Sequence, residues 1–418
     1  MDQQWLSVNA EYRTWSHCIK GLIIVLVYNM QRIWYITIAV ALVNICLPIG
    51  KTMAQDKQKQ KISLKDSLDH AVDLSDYLIY ANGFIMLPIP ITEPALGGIG
   101  GALVPIFLKK RAAVIDTVNG KVRITRVNPD ITGGIAMYTA NNSWMTGAFR
   151  SGTLTKPRIT YRAFMAYANI NMTFYRSFDN IGQRTFDFNF KTIPVYLQAL
   201  KQFSNARWSA GLQYLFLDTK VGIARDSLPS FVTDKEKASI VSQLGAVLQY
   251  DGRDNIFTPD KGVRVQADFF LSNSAFGSDY NYWRINYSFI GYTPITPKFI
   301  GGFRFEGQQV LGSPPFYLLP YIRLRGVPSV EFQGNATLVS EAETRWDLYK
   351  RWSLVFYGGL GEAFDDWNNI SQHPLVYSYG TGFRYLIARK FKLRMGVDVA
   401  RGPNDWAYYI VFGSNWLR

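Results

Sequence analysis

Cysteine is nearly missing from this chain of 418 residues: there are two, Cys18 and Cys46. Both precede the point where an export signal would be cut, so disulfides and thiol chemistry are excluded downstream. Histidine is almost as scarce, with three in all. Of these, His70 and His373 stand far apart, and no Cys/His spacing suits a metal. No Gly-x-Ser-x-Gly elbow occurs, and Gly97–Gly101 does not lead into the Lys-Ser/Thr of a phosphate-binding loop. No catalytic residue, metal site or cofactor is therefore expected.

Charge is thin too, at 18% of residues, and long apolar runs are confined to the first fifty positions. Without a second run of about 20 apolar residues, a helical bundle crossing a membrane is excluded. Lys and Arg outnumber Asp and Glu by 45 to 31, a net charge of +14. The basic residues are scattered singly, with no basic helix or run, which argues against a nucleic-acid partner.

What the chain has in plenty is Phe, Tyr and Trp, 15% of residues, together with 34 Gly. That mixture favours strands over helices. Trp34–Gly50 is an apolar stretch preceded by Arg32 and followed by the small Ala54, the pattern of a signal peptide cut before Gln55. An uncleaved membrane helix is the other reading of that stretch. Residues 55–96 read as a polar leader with a helix around Ser63–Tyr80. The apolar run Phe84–Ile91, broken by Pro88 and Pro90, closes it.

From about residue 97 to the end, segments of about ten residues alternate apolar and polar positions, then turn. In Lys390–Arg401, Phe391, Leu393, Met395, Val397 and Val399 fall on one face, and Lys392, Arg394, Gly396 and Asp398 on the other. Period two is the strand signature, and a charged face opposite a large apolar face requires two solvents. In lipid no sheet edge can be left open to hydrocarbon, so the sheet must close. Fifteen such segments can be marked, ending in one over 406–416. Barrels of this kind have even strand numbers, so sixteen are expected, with one missed before residue 185. Short connections (Asn141-Asn142, Ser204-Asn205, Thr293–Pro297, Leu348–Lys350) fit periplasmic turns, and longer ones (Ala224–Lys237, Gly312–Gly334) the outer face. The register places Met395 toward lipid, and a lysine at lumen-facing Gly396 is expected to be the better tolerated charge.

Four segments together resemble the BamA/TamA family of outer-membrane proteins, the bacterial surface antigen barrel. They are Asp251-Gly252-Arg253-Asp254-Asn255 with Pro259-Asp260-Lys261-Gly262, the loop motif Leu324-Arg325-Gly326-Val327, the strand segment Tyr357-Gly358-Gly359-Leu360-Gly361, and the terminal Tyr409–Trp416. The resemblance implies an all-β fold: a closed antiparallel transmembrane barrel of sixteen strands with the long loop folded into the lumen. It also implies a signal from the terminal strand, here Gly413 and Trp416, although Leu417 and Arg418 extend past the closing aromatic. Gly359 stands where the family has an aspartate, so Arg325 lacks its usual partner. By alternation Glu341 and Glu343 face the lumen and are the candidate substitutes.

The expected organisation is therefore 1–54 extension and signal peptide, 55–96 leader, and 97–418 barrel. The leader is too short for the POTRA domains that family members carry. The resemblance implies a Gram-negative outer-membrane protein, embedded in lipid, that assists insertion or export of outer-membrane components. Its partners would be a periplasmic accessory protein and unfolded outer-membrane clients. A passive or gated anion-favouring channel and a structural surface antigen remain as alternatives.

Overall fold

A computed structural model describes residues 63–80, 83–109, 114–118, 121–125, 130–178, 182–203, 207–223, 229, 232–372 and 374–416. The expectations for residues 1–54, His373 and Leu417-Arg418 lie outside them. A short helix, α1 (Ser75–Tyr80), precedes the strands; the rest of the expected Ser63–Tyr80 helix is irregular chain with a turn at 67–69 and an isolated antiparallel bridge between Lys65 and Val72. Next come β1 (Gly83–Ile91) and β2 (Gly100–Lys109). A separate hairpin, β3 (Val114–Val118) with β4 (Lys121–Thr125), is inserted before β5 (Asp130–Thr139). Then follow β6 (Trp144–Leu154), β7 (Ile159–Phe178), β8 (Gly182–Gln202), β9 (Trp208–Ile223) and β10 (Ala238–Asp251). The remainder are β11 (Gly262–Ser272), β12 (Tyr282–Thr296), β13 (Phe299–Gly312), β14 (Ala336–Tyr349), β15 (Trp352–Phe364), β16 (Val376–Ala388), β17 (Leu393–Arg401) and β18 (Trp406–Phe412).

All but the inserted hairpin form one antiparallel sheet of sixteen strands in sequence order, curled into a nearly closed barrel. The pleat sorts side chains between two media. Leu103, Phe107, Leu212, Leu248, Phe269, Phe303, Phe356 and Phe383 are all exposed. So continuous an apolar belt is tenable only against lipid. Exposed Trp208, Tyr349 and Trp352 rim one end, and Tyr138, Trp283, Tyr377 and Trp406 the other. Amphipathic rings of this kind settle at the two headgroup levels.

The sixteenth strand is β1, which the sequence pattern placed in the leader. Pro88 and Pro90 read as breakers, yet proline is tolerated on an edge strand because only one side of it needs donors. The ladder to β2 runs unbroken through both prolines. Being two residues apart, both point their missing donors to the same side, the free edge. The sheet thus starts at Gly83 rather than 97.

Strand reversal also corrects the turn at Asn141-Asn142. Three strands (β6, β7 and β8) separate it from the β8–β9 connection, so the two lie at opposite ends. Asn141-Asn142 belongs with the long loops. Its compactness comes from Asn141, whose side chain and backbone exchange hydrogen bonds with Asn171 at 2.7 and 2.8 Å.

On β17 the outward positions are Met395, Val397 and Val399, with Arg394 and Asp398 buried inward. Phe391 lies instead in the turn Arg389–Phe391. Gly396 faces inward, yet a lysine there is expected to be costly. A Cβ there would lie 1.8 Å from the Phe383 carbonyl oxygen, so the expectation for this site is reversed.

β7 and β8, of 20 and 21 residues, are the longest strands. At about 3.3 Å per residue they outrun an apolar band of about 25 Å even when tilted. Their loop-end halves carry Phe174, Phe188 and Phe190, which pack with Val221, Val232 and Val330. Phe316 of the 313–335 loop inserts among them, 5.0 Å from the Phe188 ring. Each buried phenylalanine contributes about 1.5–3 kcal/mol, so the tall hairpin braces the loop from above.

Candidate functional site

The 313–335 loop between β13 and β14 turns into the lumen. Tyr321 bridges Gln333 across its base, and the Ile322 amide donates to the Phe332 carbonyl at 3.0 Å. Beyond that pinch, Ile322, Leu324 and Val327 bury against Val339 and Val376 of the wall. Gly361 and Gly359 make room for them. A Cβ on Gly361 would sit 2.8 Å from an Ile322 methyl, and one on Gly359 would sit 2.7 Å from a Leu324 methyl.

Arg325 is buried and spends its fork on three carboxylates: Nε to Glu341 at 2.7 Å, Nη2 to Glu343 at 2.8 Å and Nη1 to Asp398 at 3.0 Å. Its guanidinium lies 3.3 Å from the centroid of the Tyr357 ring, a cation–π contact away from bulk water. The Tyr357 hydroxyl donates to the Val399 carbonyl at 2.9 Å, fixing the ring. Gly326 adopts φ 85, and its amide donates to the Tyr409 hydroxyl at 3.0 Å. A Cβ there would meet Gly402 N at 2.7 Å, so glycine is required twice over.

The carboxylates are themselves held. Arg384 pairs with Asp398 at 2.5 Å and Arg304 with Glu341 at 2.9 Å. Isolated, such buried charges would be prohibitive; interlocked, each guanidinium and carboxylate supplies what the other lost from water. Asp398 was not singled out from the sequence as an Arg325 partner. Its inward place in the alternation was readable, but nothing there tells which strand the loop tip reaches. With Gly359 leaving the usual position empty, Asp398 of β17 supplies the third carboxylate.

The strand pattern that ran through Trp416 stops at Phe412. Gly413, at φ 81, turns the chain inward, with its amide donating to the Arg394 carbonyl at 2.6 Å. Trp416 is 1% exposed, and its Nε1 donates to Glu341 at 2.7 Å. A Cβ on Gly302 would sit 2.8 Å from the indole, so that glycine clears its seat. The last described residues therefore enter the same network as Arg325.

This leaves a seam. Among the described residues no ladder joins β1 to β18, and the two remain the ends of the sheet. A side-chain bond from the Tyr408 hydroxyl to the Gly98 carbonyl, at 3.2 Å, reaches across near the loop end.

Comparison with known proteins matches residues 136–316 to the Omp85 superfamily domain. The chain carries an Omp85 domain. The barrel superposes on BamA from Haemophilus ducreyi lacking POTRA domains 1–3, with a TM-score of 0.52 and 12% identity over 79% of this chain and 70% of that one. It superposes on CdiB from Escherichia coli with a TM-score of 0.53 and 11% identity, over 78% of this chain and 61% of that one. This chain thus spans about three fifths of CdiB. No curated protein matches it by sequence. The barrel is an outer-membrane protein.

At the turn end of the Omp85 barrel the Asp251–Gly262 motif lies beneath the lumen. Asp260 pairs with Arg345 of β14 and with Lys392 of the β16–β17 turn. Asn255 donates to the Phe391 carbonyl at 2.9 Å. Close by, residues 63–76 are strapped under the last strands. Arg351, in the β14–β15 turn, reaches Asp66 at 2.6 Å, Asp69 at 2.8 Å and Asp73 at 2.8 Å. Arg389 reaches Asp66 at 2.7 Å, and Leu74 donates its amide to the Ile387 carbonyl at 2.7 Å. The Arg351 hydrogen bond holds the Asp69 carboxyl well below the usual carboxylate range. For Asp73, burial pushes upward, but bonds from Ser75, Arg389 and Arg351 prevail and hold it low. Arg351 in turn keeps its proton more tightly, chiefly through Asp69. This strap leads through α1 directly into β1, so it crosses beneath the seam.

Proposed function

We propose that this Omp85 barrel inserts or exports outer-membrane clients through the gap between β1 and β18, with a periplasmic accessory protein delivering unfolded chains. The unpaired seam carries the reading. An open strand edge is a template for an incoming strand. The two edges are unequal. Pro88 and Pro90 strip donors from β1, whereas Trp406–Phe412 contains no proline and offers its full set. A client strand is therefore expected to dock on β18 first. The loop and Trp416 occupy the lumen, which disfavours a wide passive channel.

Locking the seam tests this. Ile99→Cys with Tyr408→Cys, bridged by a reducible bifunctional linker, should stop client assembly into proteoliposomes, and reduction should restore it. Full assembly by the bridged barrel would reject the seam as the route. In a gentler variant, Pro88→Val with Pro90→Val should restore edge donors, tighten the seam and slow assembly without altering the heat-modifiable gel shift.

A further inference from the structure

Arginines of the β13–β17 flank are matched to carboxylates: Arg304, Arg325, Arg345, Arg351, Arg384 and Arg394 each sit in an ion pair. Four others are not. Arg162 on β7, Arg264 on β11, Arg284 on β12 and Arg323 in the lumenal loop line one cavity of about 290 Å³. Among the described residues none of the four forms an ion pair. Arg264 donates to the Gln266 side chain, Arg284 to the Leu318 carbonyl, and Arg323 lies 4.9 Å from the Tyr321 ring. Arg162 and Arg323 are exposed to the lumen, and Arg264 is buried in the wall.

Two carboxylates share the cavity, and both are engaged elsewhere. Asp268 accepts from Gln213 at 3.0 Å and Gln266 at 2.8 Å, and Glu306 lies 3.3 Å from Arg304. Four guanidiniums against two carboxylates leave the wall positive. Between them stand neutral donors, including the amides of Gln249, Asn286 and Gln308. Uncompensated like charges gathered in a low-dielectric cleft repel one another and focus a field that an anion relieves.

We propose that this cavity is a binding site for a phosphate group. Guanidinium forks match the paired oxygens of a tetrahedral oxyanion, and side-chain amides complete its shell with directed bonds. A halide uses neither feature. The arginines are also staged along the lumen: Arg162 and Arg264 near the turn ends of their strands, Arg284 near the loop end of β12. A phosphate-bearing molecule can therefore be held from either side of the membrane.

The test uses the full chain in nanodiscs. Inorganic phosphate is titrated by calorimetry, and phosphatidic acid added to the nanodisc lipid is followed by phosphorus NMR, each with chloride and glutamate as competitors. Saturable binding of inorganic phosphate assigns the site to the free anion. Binding of phosphatidic acid alone assigns it to a lipid headgroup. Either supports the site, provided Arg264→Gln with Arg284→Gln weakens binding about tenfold or more. Arg264→Lys with Arg284→Lys should recover only part, keeping charge without the fork. Neutralising an unpaired charge strands no carboxylate, so folding should survive. If the double variant nevertheless loses its heat-modifiable shift, the lumen-exposed Arg162→Gln substitutes for it. Absence of saturable binding, equal displacement by chloride or glutamate, or unchanged affinity in the variants overturns the proposal.

Discussion

On the β13–β17 flank of the lumen Arg304, Arg325, Arg345, Arg351, Arg384 and Arg394 are each tied to a carboxylate, and Arg325 alone meets three carboxylates and an aromatic face. Across the lumen, on β7–β12, Arg162, Arg264 and Arg284 have no ion-pair partner among the described residues, and they line a cavity of about 290 Å³. The same side chain thus serves two ends. Where charges are matched, the network fixes a loop and a chain terminus in one arrangement. Where they are left unmatched, the wall keeps a capacity to take up charge from outside. Removing an arginine should accordingly damage structure on the first flank and binding on the second.

The largest effect is expected at Arg325→Ala, which strands Glu341, Glu343 and Asp398 together. Breaking one buried pair costs about 3–5 kcal/mol, and that loss should fall on loop docking while the ladders keep the barrel closed. Limited proteolysis should cut within 313–335 in the variant and spare the parent. Arg325→Lys should protect the loop only in part, because an ammonium cannot serve three partners in one plane. A protease-resistant Arg325→Ala loop would show that the matched flank is not what holds it.

Next comes the lipid face. Met395→Arg should destabilise the barrel by roughly 2–4 kcal/mol in urea titrations, while a lysine at lumen-facing Gln249 should be far milder. Equal losses would mean that the register is off by one residue.

Smaller, and dependent on pH, is the strap. Asp69 and Asp73 have depressed folded values, so their stabilisation is present above the ordinary carboxylate pKa of about 3.9 and lost as pH falls through the folded values. Hydrogen exchange over 63–80 should stay slow from pH 7 to pH 5 and speed up only in strong acid. Arg351→Gln should raise exchange already at pH 7. Smallest is Tyr357→Phe, which loses one hydrogen bond worth about 1 kcal/mol while leaving the ring under Arg325. Its thermal midpoint should drop slightly, with loop protection retained.

Much of the barrel was legible because the pleat repeats every two residues and each strand declares its own faces. Met395, Val397 and Asp398 could be assigned to sides from neighbours alone. β1 was not legible, since Pro88 and Pro90 carry the marks of a breaker until the strand is known to lie at an edge. For the site, Arg325, Glu341 and Glu343 were within reach because loop motif and alternation are both local. Asp398 and the inward turn of Trp416 were not. They depend on where the loop tip and Gly413 carry the chain across the lumen, a matter of three-dimensional path rather than period.

The strap sets a mechanical limit on the seam. Residues 73–76 are fastened to the β16–β17 turn: the side chains of Asp73, Ser75 and Asp76 meet Arg389 and Lys390, and the Leu74 amide donates to the Ile387 carbonyl. From the end of α1 to the start of β1 the chain passes through only residues 81 and 82. A link that short spans at most about 10 Å when fully extended. The foot of β1 is therefore leashed to its opposite bank, while at the loop end, among the described residues, the banks meet through the side-chain bond from Tyr408 and through the lumenal loop, which touches Glu93 on one side and Tyr409 on the other. Any parting of β1 from β18 is hinged at the periplasmic end and widens toward the cell exterior, a wedge rather than a slot.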